Sequence, residues 1–248
     1  MINLVLLKYE IRRLILTKKY FYMILILCVW TVDVLMRLVI NGFYYTAPFS
    51  QWSYSEFITL FSPILYIILI LLCTSIFSES EKAVKNIIDS TPISESKYYI
   101  MKGCGVFVVF IITTIIPIVI SFVYYAFLFE YTEYQYFILP ILLFIIPTSI
   151  FIFGISIFLG KINNKLLYAL IPFTFIMGAL NLRSLPVWID VFGNNFVQDY
   201  GLHFIMGSDS DVVPYIIPND FLCSRLVFVA LGILLFIFAC KSKKCENK

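Results

Sequence analysis

Six long apolar runs constrain this 248-residue chain more than any motif does. They are Tyr20–Ile40, Phe57–Ser78, Gly103–Phe129, Phe137–Gly160, Leu166–Leu182 and Phe221–Cys240. Each is near or above the roughly 17 residues that a tilted helix needs to cross a bilayer. With 61% apolar residues, 18% aromatic and only 13% charged, the chain has lipid as its main solvent. The expected fold is therefore all-α: a polytopic membrane protein with six transmembrane helices. The third run is longer than one crossing requires, which predicts tilt or a kink at Pro117. The segment before the first run is basic and helix-like and has no small-residue cleavage site, so it does not read as a cleavable signal.

The distribution of Lys and Arg sets the expected orientation. Lys8, Arg12, Arg13, Lys18 and Lys19 precede the first run, and Lys82, Lys85, Lys97 and Lys102 lie between the second and third. Lys161 and Lys165 separate the fourth and fifth, and Lys241, Lys243, Lys244 and Lys248 follow the sixth. Fifteen of the 18 basic residues thus fall on one side, which predicts a multi-pass protein of the cell membrane with both termini cytoplasmic. The net charge of +3 is then a topology signal and gives no reason to infer a nucleic-acid partner.

The reading is a single membrane domain over 1–248. Residues 1–19 place Leu4, Leu7, Ile11, Leu14 and Ile15 at helical spacing beside basic residues, as in a helix lying in the cytoplasmic headgroup layer. Five of the six cysteines fall within or at the ends of runs, and none has zinc spacing or a disulfide framework. No internal repeat is present, so any two-fold symmetry must come from association of chains, which points to a dimer.

The connection after the second run, 79–101, is the most informative stretch. Val84, Ile87 and Ile88 form a short apolar helical face, and Pro92 stops that helix by excluding α geometry at Thr91. Ser94 then caps a second helix, with Lys97 and Lys102 expected in the headgroup layer. A solvated connector has no need of that apolar face, whereas a protein-docking element does.

The stretch Glu81 to Gly103, with its acidic residue, short apolar helix, Ser90-Thr91-Pro92-Ile93-Ser94 turn, Lys97-Tyr98-Tyr99 and Lys102-Gly103, resembles the cytoplasmic loop of type-2 exporter permeases of the ATP-binding cassette family. Ala83, where many members carry Gly, is a mild departure. The resemblance implies that 1–19 is an elbow helix and that 79–101 is a coupling loop touching a separate ATPase through Glu79, Glu81, Val84, Ile87, Ile88, Ser90, Thr91 and Pro92. It further implies that 183–220 is an outer segment dipping back into the membrane, and that a second permease chain, identical or not, completes the complex. The chain itself lacks an ATPase domain: Gly160-Lys161-Ile162 has neither the first glycine nor the hydroxyl of a phosphate-binding loop. ATP and magnesium belong to the partner ATPase, and no catalytic residue, cofactor or metal is expected on this chain.

Within the first run, Asp33 and Arg37 stand four residues apart on one face, a spacing that lowers the cost of placing either charge in a membrane. They are either a structural pair facing the bundle or the lining of a substrate path or dimer seam. Arg225 is expected to snorkel to the outer headgroups. Pro63, Pro117, Pro140, Pro147 and Pro172 offer bends, static or gating. The outer segment, with Trp188, Ile189, Val191 and Phe192 and later Val212 to Ile217, is too short to span and too apolar for free solution. Asp209-Ser210-Asp211 lacks the rest of a calcium loop, and the single histidine, His203, reads as a loop residue. Short permeases of the family resemble those that export, or confer immunity to, antimicrobial and amphipathic peptides such as bacteriocins and phenol-soluble modulins. Drug or lipid export, or a non-transporting anchor or sensor, are the alternatives, while an intramembrane hydrolase lacks the convergent Glu and His it would need.

Overall fold

The computed structural model of the chain describes residues 4–37, 50–79, 81, 83, 95–179, 186–201 and 215–241, and most of these are helical with no strand among them. Seven helices carry the architecture: α1 (Leu4–Ile15), α2 (Lys18–Leu35), α3 (Gln51–Thr74), α4 (Glu95–Phe129), α5 (Ile138–Ile162), α6 (Asn164–Ala179) and α7 (Asn219–Lys241). Each of the six apolar runs carries one of α2 to α7. Among the described residues four stretches are long and apolar enough to cross a membrane: α3, α4, α5 with its leading 3-10 turn, and α7. A fifth is reached if α1 and α2, bent by 65° against each other, count as one broken span. The described parts of α2 and α6 comprise 18 and 16 residues and stop short of the ends of their runs, and Arg37 is the last described residue of its run. Large apolar side chains such as Phe21, Leu25 and Val29 on α2 and Leu226, Leu234 and Phe238 on α7 face outward. That is the surface of a membrane-embedded helical protein.

Thr17 makes the bend between α1 and α2. Its hydroxyl donates to Leu14 O (2.9 Å) at the end of α1 and accepts from Tyr20 N (3.1 Å) at the start of α2. One side chain thus terminates one helix and caps the next.

Helix α3 is the centre of the bundle, with most of its side chains buried from Trp52 to Thr74. Pro63 removes the amide that would bond Thr59 O, yet the helix continues, because Ser62 Oγ donates to that carbonyl (3.2 Å). Pro117, Pro147 and Pro172 also lie inside continuous helices. Around α3 the close contacts use small residues, as packing in lipid demands. A Cβ on Gly154 would lie 2.1 Å from Gly232 O, so α5 and α7 touch backbone to backbone. A Cβ on Gly160 would lie 2.3 Å from Phe77, so this glycine serves packing.

Both ends of the bundle are pinned. At the end where the basic residues gather, Ser96 Oγ donates to Cys240 O (2.8 Å) and Lys161 Nζ to Ala239 O (2.8 Å). The start of α4 and the ends of α5 and α7 therefore meet there. At the opposite end Tyr54 stacks on Phe137 (4.1 Å between centroids), and its hydroxyl pairs with Ser121 (3.0 Å).

Candidate functional site

At the basic end two acids and two bases close a ring. Lys102 Nζ lies 2.5 Å from Glu10 Oε1 and 2.8 Å from Glu81 Oε2. Arg13 reaches Glu10 Oε2 at 2.9 Å and also pairs with Glu81 Oε1. Tyr98 Oη donates to Glu81 Oε2 (2.9 Å) and its ring lies under the Lys102 ammonium. Glu10, Glu81 and Lys102 are buried and Arg13 is half-buried, so the two acids and two bases balance one another with three of the four charges withdrawn from water. The ring joins α1, the residues just after α3, and α4. Buried charges are tolerated only when satisfied in this way, and removing one leaves its partners stranded.

This placement revises one expectation. Lys102 does not reach outward to head groups: its side chain is buried and turns inward, because Glu10 stands on the apolar face of α1, between Leu7 and Leu14, and two carboxylates attract it. Glu10 was the missed residue, and its signal was an acid on the face of a basic helix that otherwise reads as apolar. Among the predicted loop residues, Glu79 is exposed and Glu81 is engaged within the chain. Val84, Ile87, Ile88, Ser90, Thr91 and Pro92 lie outside the described residues.

Near the other end of α2, a cavity of 220 Å³ opens between α2, α3 and α6. Trp30, Val34, Leu60, Pro63, Ile64, Phe175 and Gly178 form its apolar wall, and Asp33 and Arg37 supply its charge. Arg37 and Asp33 pair at 2.5 Å and are 66% and 40% exposed, and among the described residues a single contact holds them. Trp30, Asp33, Val34 and Arg37 follow the three- and four-residue spacing that aligns them on one face of α2. Trp30 is fixed by a hydrogen bond from Nε1 to Leu60 O (3.2 Å). Gly178 lets α6 close on α3, since a Cβ there would sit 2.5 Å from Pro63.

The described part of the outer segment is inserted between helices. Asp190, buried, accepts from Gly193 N (2.9 Å) and Phe196 N (2.8 Å), shaping a tight turn through Gly193 at φ +79°. That left-handed conformation, with Phe144 2.5 Å from any added Cβ, admits only glycine. Arg225 from α7 donates to Val191 O (2.7 Å) and to Asp190 O, and Thr148 from α5 also donates to Val191 O (2.7 Å). Arg225 is thus buried and bound to backbone, and does not snorkel outward, because the inserted segment brings carbonyl groups to it. Against α3, burial raises the Tyr215 phenol well above its ordinary value, opposed by the Ser55 hydroxyl 2.9 Å away, so the phenol stays protonated at physiological pH.

No family model, no curated protein and no solved structure matches this chain.

Proposed function

We propose that this chain is the permease subunit of an ATP-binding cassette exporter of the type-2 kind, moving an amphipathic substrate, foremost a peptide, out of the cell. In this reading it crosses the cell membrane six times with both termini cytoplasmic. Helix α1 is the elbow helix, 79–101 is the coupling loop, and 183–220 is a re-entrant outer segment. A separate ATPase holds ATP and magnesium and docks on Val84, Ile87 and Ile88, and a second permease chain completes the path.

The observation that carries this reading is the cavity between α2, α3 and α6 with an ion pair in its wall. A membrane anchor needs neither a cavity nor a half-exposed charge pair, whereas a substrate path uses both. The buried ring adds support: Glu81, at the root of the loop, is tied to α1 and α4, so displacement of the loop displaces two helices with it.

Purification of the tagged chain from its native membrane in mild detergent tests this. Wild type is expected to bring down an ATP-hydrolysing subunit, and a variant with Val84→Asp, Ile87→Asp and Ile88→Asp to lose it while keeping its own melting temperature. An intact chain that recovers no ATP-binding partner in either form contradicts the proposal.

A further inference from the structure

The lining of the cavity between α2, α3 and α6 selects among ligands. Its volume of 220 Å³ is below the about 300–1,000 Å³ typical of drug-sized pockets, so it admits a head group and the first part of a linear chain, not a bulky ring system. Its polar matter is confined to Asp33 and Arg37, and two aromatic side chains, Trp30 and Phe175, share the wall with them. Aromatic faces attract cations and are repelled by anions at the same position. The carboxylate and the aromatic side chains in the wall therefore favour a cationic ligand.

Arg37 then has a distinct part. It is a long side chain, 66% exposed, bound to Asp33 by one contact at 2.5 Å. Such a pair is weakly held, and a competing cation can take its place at the carboxylate. While the cavity is empty, Arg37 occupies the Asp33 carboxylate; when a ligand arrives, the guanidinium swings to the exposed side.

We infer that the cavity binds the ammonium head of a cationic amphiphile at Asp33, with Trp30 and Phe175 flanking it and Arg37 acting as a tethered competitor for the same carboxylate. This rests on the reading of that cavity as part of a substrate path, and it narrows the substrate class from amphipathic to cationic amphipathic.

The test uses the full chain, labelled with 5-fluorotryptophan, in phosphatidylcholine nanodiscs, read by fluorine NMR. The chain has three tryptophans, and Trp30→Phe assigns the resonance of interest. The probes are decyltrimethylammonium, decanol and decanoate, all below their micelle-forming concentrations. The Trp30 signal is expected to shift saturably with the ammonium at a concentration about tenfold lower than with the other two, the equivalent of one desolvated cation–aromatic contact. Asp33→Asn removes that preference, and Arg37→Gln strengthens it by removing the competitor. Unchanged Trp52 and Trp188 signals certify that each variant is folded. Equal responses to all three probes, no Trp30 response, or an ammonium response that survives Asp33→Asn overturns the inference. So does a preference for decanoate that Arg37→Gln abolishes. Because no ATPase is present, this outcome is independent of the co-purification result: a Trp30 site without an ATPase partner sinks the exporter reading alone.

Discussion

Glu10, Arg13, Glu81 and Lys102 form four ion pairs among four residues, with both acids and the lysine buried, whereas Asp33 and Arg37 share one contact and remain 40% and 66% exposed. Both groups sit in an apolar chain where charge is costly, yet they meet that cost in opposite ways. The ring saturates each carboxylate oxygen it uses and leaves nothing for an outside ligand. The pair borders a cavity and keeps most of its hydrogen-bonding capacity in reserve. The contrast teaches how to read charge in a membrane bundle: saturation with burial marks a joint, and a half-exposed pair beside a cavity is where the proposed binding surface lies.

The largest expected effect breaks the joint. Glu81→Gln strands Arg13 and Lys102 against a neutral amide and is expected to lower unfolding free energy by about 3–5 kcal/mol in detergent denaturation. A cost near zero would mean that the ring is not closed. A smaller effect belongs to Tyr98→Phe, which removes one hydrogen bond to Glu81 and leaves the ring standing. About 2 kcal/mol is expected in the same denaturation measurement, the scale of a hydrogen bond to a charged group. The smallest effect sharpens the other side: Asp33→Asn is expected to cost no more than about 1 kcal/mol, as exposed pairs do. Raising salt to 1 M should erase that difference while leaving the Glu81→Gln deficit in place, because buried pairs are screened much less. Equal salt sensitivity of the two variants would erase the contrast itself.

Local features of this architecture were legible in the sequence. The six apolar runs each hold a helix, since hydrophobicity and helix formation are properties of neighbouring residues. The Asp33–Arg37 contact follows from a four-residue spacing on one helix. What the sequence concealed is pairing across distance. Glu10 and Lys102 are 92 positions apart, and no periodicity in either segment announces the other. Lys102 consequently read as a headgroup anchor and Arg225 as a snorkelling side chain. Both turned inward because a second segment, α1 in one case and the turn at Asp190 in the other, supplies oxygen atoms within reach. The cavity was hidden for the same reason: Trp30 and Asp33 share a helix face, but Pro63 and Gly178 come from two others.

The division of labour between ring and pair is tested most directly by transport. Inside-out vesicles carrying the chain with the ATPase that the proposed reading requires receive a fluorescent cationic amphiphile and ATP in the outer medium, and uptake is compared between wild type and Asp33→Asn at matched melting temperature. The account predicts that uptake falls by about tenfold or more, the loss of one charge-assisted contact, with the melting temperature unmoved. Uptake at the wild-type rate, or a loss that merely follows a lowered melting temperature, would contradict it.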